Sequence, residues 1–308
     1  MSGKHPSHLG AIGVALFVTV LWSSSWILIR WGLDGEALEP ITFAALRYGL
    51  AAVVVVVWMV IRERPRTMLA AMSRPAVLRV VALGVVMYAL TQGAQFVAID
   101  SQPAATTSLV LSLTPLMVAG FAAISLGEVP ASRQVAGAVL VAVGAWSYFS
   151  GDLGATAVGM AAAVVGLLAG VAASLLGRQI NREGRLSPLV VTALSMSVGA
   201  VILILVGLSI EGIPSVSLRA WAIIVWLAVV NTAVAFTLWN LSLRSLSAVE
   251  SAGINNTMMI QIAVLAWVFL DESFGVPEML GIALVSTGVF LTQVITTQPK
   301  AAAGPRSP

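Results

Sequence analysis

The residues able to do chemistry in this chain are few, and they sit inside long apolar runs. Gln92 and Gln95 are followed by Phe96 and Ile99 at i+4 and i+7, which puts two carboxamides and an aromatic ring on one helical face. Trp22, Ser25 and Trp26 share a face in an earlier run. Asn231, Trp239 and Asn240 occur in a later run, and Asn255, Asn256 and Gln261 in the next. A carboxamide facing lipid leaves donors and acceptors unsatisfied, so these faces must turn toward protein or water. Two readings stay open for each. One is hydrogen bonding between helices, at about 0.6 kcal/mol per bond. The other is the wall of a solute cavity, for which Trp22, Ser25, Gln92, Gln95, Trp239 and Asn255 are the candidates. An aromatic wall with a few carboxamides suits an uncharged or zwitterionic amphipathic solute. Trp22 and Trp26 also fit an interfacial aromatic belt.

Two charged residues stand near membrane depth. Arg47 lies roughly 9 Å along its run at 1.5 Å per residue. A charge at that depth costs at least about 2.5 kcal/mol unless it snorkels or finds a partner. Its alternatives are snorkelling, a structural ion pair, or an anionic group on the solute. Glu250 is either a first-turn residue stabilised by the positive end of its helix or a coupling group that exchanges protons.

Other chemistry is excluded by residue type. The chain has no cysteine, so disulfides and thiol ligands are ruled out, and its two histidines, His5 and His8, lie in the N-terminal leader. No serine–histidine pair and no glycine-rich phosphate loop occurs, so neither an enzyme nor an ATP-driven machine is expected. No metal and no cofactor are called for.

These residues are carried by membrane spans. Of 308 residues 59% are hydrophobic and only 9% charged, against about 25% charged in a soluble domain. A span needs about 20 apolar residues. Runs at 10–29, 80–99, 101–127, 134–151, 153–177, 186–210, 220–243, 251–270 and 279–299 qualify, and 41–61 qualifies with Arg47 inside it. None alternates at period two, which argues against a barrel. The stretch from Trp22 to Trp26 is no small-residue cleavage site, so the first run reads as a span rather than a signal peptide.

Positive charge orients the spans. With the N-terminus in the cytoplasm, inner segments hold thirteen of the sixteen basic residues, and outer segments hold only Arg30 and Arg219. Both termini are then cytoplasmic. The +3 net charge forms no basic stripe, so nucleic acid is not an expected partner.

The two halves repeat. Ser101, Glu128, Gly137 and Gly144 recur 144 residues on as Ser245, Glu272, Gly281 and Gly288. Arg30 and Pro40 recur 148 residues on as Arg178 and Pro188. Each copy holds five spans, an odd number, so the second enters from the opposite side. Inverted repeats of this kind support alternating access around a midplane site. The pairs Gly166/Gly170, Gly137/Gly144 and Gly281/Gly288 read as close helix packing. Pro115 frees backbone carbonyls that can line a cavity.

The sequence resembles the drug/metabolite transporter superfamily, in particular its ten-span EamA-type exporters. The resemblance runs through Trp22-Ser-Ser-Ser-Trp26, Pro40 with Leu46-Arg47-Tyr48, and Gln95-Phe96 with Ser101. It continues through Leu113-Thr114-Pro115 and Gly127-Glu128 with Gln134, Gly137 and Gly144, and returns in Asp271-Glu272, Gly281 and Gly288. Met259 and Glu250 depart from it. It implies an all-α membrane protein of ten transmembrane helices in two inverted five-helix repeats. The expected organisation is a leader at 1–8, repeats at 9–151 and 152–297, and a disordered tail at 298–308. It also implies a secondary transporter of the cell membrane, exporting amino acids or amphipathic compounds. The expected partners are a small-molecule substrate and the lipid bilayer, with a homodimer left open. The alternative is a membrane-embedded lipid-handling or assembly protein without transport activity.

Overall fold

A computed structural model describes residues 7–293, except 34–37, 64–71, 103–106, 108–109, 112, 115–116, 119, 122–130, 149, 151–154 and 271–274. The described residues hold helices and no strand. In chain order they are α1 (His8–Leu33), α2 (Pro40–Arg62) and α3 (Arg74–Ser101). Then come α4 (Ser132–Tyr148), α5 (Ala157–Glu183), α6 (Pro188–Ile210) and α7 (Leu218–Ser242). The last are α8 (Ala248–Leu270) and α9 (Val276–Gln293). Six of them, α1, α2, α3, α5, α6 and α7, are long and apolar enough to cross a membrane. Shorter apolar stretches lie within α8 and α9. The chain is therefore a multi-pass membrane protein. Most of the expected span at 101–127, including Pro115 and Gly127, lies outside the described residues, as do Glu128, Asp271 and Glu272.

Local chemistry sets the helix ends. Pro40 and Pro188, the pair related by 148 residues, both occupy the first turn of their helices, where a missing N–H costs nothing. Thr156, Ser187 and Ser217 cap α5, α6 and α7 by accepting from Gly159, Val190 and Ala220. The start of α2 is capped from elsewhere. Both carboxylate oxygens of Glu211 accept from the Ile41 and Thr42 amides, at 3.0 and 2.6 Å. Gly184, with φ of 64°, ends α5 in the left-handed conformation that favours glycine.

Packing pairs α1 with α8, α2 with α6, and α4 with α9, while α3 lies against α5 and α6. The α4–α9 crossing is set by the repeat's glycines. A Cβ on Gly144 would stand 2.7 Å from that of Leu284 and 2.8 Å from the Gly281 carbonyl oxygen. A Cβ on Gly288 would stand 2.5 Å from the Gly137 carbonyl oxygen. Without a hydrophobic drive between helices in lipid, such backbone approach is what holds them together. Tyr48, Tyr88, Phe43, Phe96 and Met196 fill the core among α2, α3 and α6.

Two helices depart from regular α geometry. α3 runs as π-helix over Gly84–Gln92, and α7 over Val229–Val234. Shifted by the 144-residue repeat, the first segment overlaps the second. Each is stitched by a threonine hydroxyl donating to a carbonyl five residues back, Thr91 to Val86 at 2.6 Å and Thr232 to Leu227 at 2.7 Å.

Candidate functional site: a cavity between the halves

The cavity is built on the faces that these helices turn inward. Its volume is about 180 Å³, and α1, α2, α3, α5, α7 and α8 all contribute walls. Trp22, Ser25, Gln92, Gln95, Trp239 and Asn255 all line it, together with Arg47. It is smaller than the ~300–1,000 Å³ of drug-sized sites.

One wall is aromatic. The Trp22 ring lies 4.7 Å from Phe236 and 5.1 Å from Trp239, both tilted. Phe236 in turn meets Tyr88 at 5.0 Å and Tyr48 at 6.3 Å. These are separations at which rings attract beyond simple burial. The π segment of α7 sits directly before Phe236 and sets the facing of this ring and of Trp239.

Polar groups complete the lining. Arg47 is 3% exposed. Its Nε donates to Thr232 Oγ1 at 2.8 Å, and its Nη2 donates to Ser25 Oγ at 3.5 Å. The guanidinium lies 5.2 Å from the Tyr48 ring centre. Of the three alternatives for Arg47, snorkelling is excluded, because the head group turns inward to α1 and α7. No carboxylate pairs with it among the described residues. Tyr48 donates to Gln92 Oε1 at 2.6 Å and so fixes that carboxamide. Gln95 and Asn255 line the cavity without a hydrogen bond to a described residue.

Several expected polar residues hold helices together instead. Asn231 donates to the Leu21 carbonyl, to Ser24 at 2.9 Å and to Ser25 at 3.0 Å. Asn240 donates to Thr192 at 2.7 Å and accepts from Asn181 at 3.0 Å. Gln261 accepts from Ser23 at 2.8 Å and donates to Thr19 at 3.0 Å.

Glu250 does not line the cavity. It sits in the first turn of α8 in a reciprocal cap. Its carboxylate accepts from the Ser247 amide at 2.8 Å, and its own amide donates to Ser247 Oγ at 3.2 Å. Its Oε1 also lies 3.2 Å from His8 Nε2, which ties the start of α1 to the start of α8. Nearby, outside the spans, Arg244 donates to the Leu186 carbonyl at 2.7 Å, and partial burial lowers its pKa from the ordinary value.

Gly166 and Gly170 pack at ordinary distance and also border the cavity: a Cβ on either would come no nearer than 3.8 Å to its neighbours, which include Ala94 and Thr91 of α3. Phe236, Ser174 and Ser251 are cavity residues that helical spacing alone did not single out. Phe236 carries the one available signal, lying three residues before Trp239. No group of three or more metal-ligating side chains occurs among the described residues.

Known proteins share this architecture. A solved structure titled "Crystal structure of protein" superposes with a TM-score of 0.77 at 19% identity, covering 93% of this chain and 98% of its own. At that identity the likeness concerns the fold. A curated relative, the "Probable terminal-alkyne amino-acid exporter" of Streptantibioticus cattleyicolor, is 26% identical over 290 residues. That alignment covers 91% of this chain and 92% of the relative. The EamA-like transporter family matches the sequence twice, over residues 9–150 and 157–294, and the chain, a membrane transporter rather than an enzyme, belongs to that family.

Proposed function

We propose that this protein is a secondary transporter that exports small metabolites, amino acids or amphipathic compounds, by alternating access. Its ten spans would form two inverted five-helix repeats around the cavity. The observation that carries the reading is the cavity itself, whose walls come from both matched halves of the chain. The two family matches, the paired prolines at helix starts and the overlapping π segments support the repeat. The amino-acid exporter among the relatives supports the substrate class. The distribution of basic residues supports a cell-membrane protein with cytoplasmic termini. Glu250, tied to His8, is the candidate coupling group.

The test is uptake into liposomes of purified protein, scanned over a metabolite panel with and without a pH gradient. Saturable flux of a panel member is expected. Absence of any flux above protein-free liposomes would sink the reading. Orientation is tested separately, because the chain carries no cysteine. In intact cells an impermeant thiol reagent should label Gly35→Cys and spare Ser73→Cys, and the reverse pattern overturns the topology.

A further inference from the structure

The geometry points to a carboxylate as the group this cavity recognises, received by Arg47 and Trp22. The inference rests on the transport reading above and narrows its substrate to amphipathic monocarboxylates. Arg47 is the one charged side chain among the described residues that line the cavity. A guanidinium has five N–H donors, and Arg47 uses two of them, one at 2.8 Å and one at the 3.5 Å limit of a hydrogen bond. Both acceptors are neutral hydroxyls and the Tyr48 ring is a neutral face, so no anionic group among the described residues balances the charge. An uncompensated buried cation is costly to hold, and an arriving anion removes that cost.

A second unused donor belongs to a residue that lines the same cavity. Trp22 is 9% exposed, and its buried Nε1–H has no acceptor among the described residues. Trp22 and Ser25, the hydroxyl that Arg47 reaches, stand three residues apart on one face of α1, and Trp22 and Arg47 both line the cavity. An anion with two coplanar oxygens suits the guanidinium fork. One positive charge balances one negative charge, which favours a carboxylate over a phosphate dianion. The aromatic wall of Trp22, Phe236 and Trp239 then receives an apolar body.

The same inventory says what is not recognised as a charge. No described lining residue is a carboxylate, so an ammonium would meet only neutral acceptors, such as the Gln95 and Asn255 carboxamides. The carboxylate should therefore be required and the free amino group dispensable.

The experiment uses norvaline, leucine and phenylalanine, each as the free L-amino acid, the N-acetyl acid and the amide. Binding to the purified full chain is read by thermal stabilisation in detergent, and flux by competition in liposomes. Free acids and N-acetyl acids should act at concentrations at least tenfold below the amides. Arg47→Gln should erase that preference, and Arg47→Lys should retain part of it. Equal action of acids and amides on the unsubstituted protein overturns the carboxylate assignment and leaves the transport reading standing. Acid-selective stabilisation without flux does the opposite. No response to any acid overturns the assignment. The acid–amide comparison needs no variant, so it decides even where Arg47→Gln fails to fold.

Discussion

The glycines of α4 and α9 and those of α5 look alike in sequence and behave oppositely in the fold. Gly144 and Gly288 are jammed, with backbone of the facing helix under 3 Å from where a Cβ would stand. Gly166 and Gly170 could each take a Cβ at ordinary contact distance, 3.8 Å or more from its neighbours, and both border the cavity. Small residues at helical spacing thus do two jobs in a membrane protein. At one crossing they let two backbones touch. At the other they leave volume unfilled, which is what a solute needs. Spacing alone does not tell these apart; the polar residues around them do, since Gly166 and Gly170 line the same cavity as Thr91, Gln92 and Gln95.

The contrast can be broken most decisively at Gly288. Gly288→Val should prevent assembly of the α4–α9 crossing, and size-exclusion chromatography should show little folded protein. A normal yield of monodisperse protein would mean that the crossing yields easily and the distinction is false. Overpacking of this kind ordinarily costs about 1–3 kcal/mol, and here the obstacle is backbone rather than a side chain.

The next largest effect is expected on flux. Gln95→Ala and Trp239→Ala should lower transport at least about fivefold, in line with ~1 kcal/mol for a lost hydrogen bond or ring contact, with unchanged amounts of folded protein. Val53→Ala, at a position 60% exposed and facing lipid, is the control. Equal flux in all three variants places the solute elsewhere. Gly166→Leu sharpens the contrast from the other side. It should fold as well as the unsubstituted chain while its side chain occupies cavity volume, and flux should fall severalfold. If Gly166→Leu instead fails to fold, the two glycine classes are one.

How much of this was legible beforehand follows from the same residues. The face carrying Gln92, Gln95 and Phe96 could be read from spacing, because α-helical periodicity resumes at Gly93. The prolines opening α2 and α6 could be read for the same reason, as first-turn chemistry is local. The partners of Arg47 could not. Thr232 lies 185 residues away on the π segment of α7, and that segment has no signature in hydropathy. Nor could Glu211 be read as the cap of α2, since a carboxylate after an apolar run looks like any loop residue. Glu250 was legible as a first-turn residue, and Ser247 three residues earlier supplies its reciprocal partner.

The smallest predicted effect tests Glu250. Glu250→Gln should keep the reciprocal cap nearly intact, with a stability change below about 1 kcal/mol, while uptake loses its dependence on a proton gradient. Unchanged gradient-driven uptake ends the coupling proposal and leaves Glu250 as a cap.

The π segments carry a consequence for chain length. A helix advances about 100° per residue, and a wider turn absorbs a residue that a regular helix would spend on rotation. Every side chain beyond Gln92 in α3, and beyond Val234 in α7, therefore faces where it does because of how many residues precede it. Deleting a single apolar residue such as Val85 changes no polar group and removes no span. It would nonetheless turn Gln95 and Phe96 by roughly a quarter of a circle, away from the cavity and toward a neighbouring helix. In these two helices an insertion or deletion of one residue acts as a change of specificity, even where every cavity residue is retained.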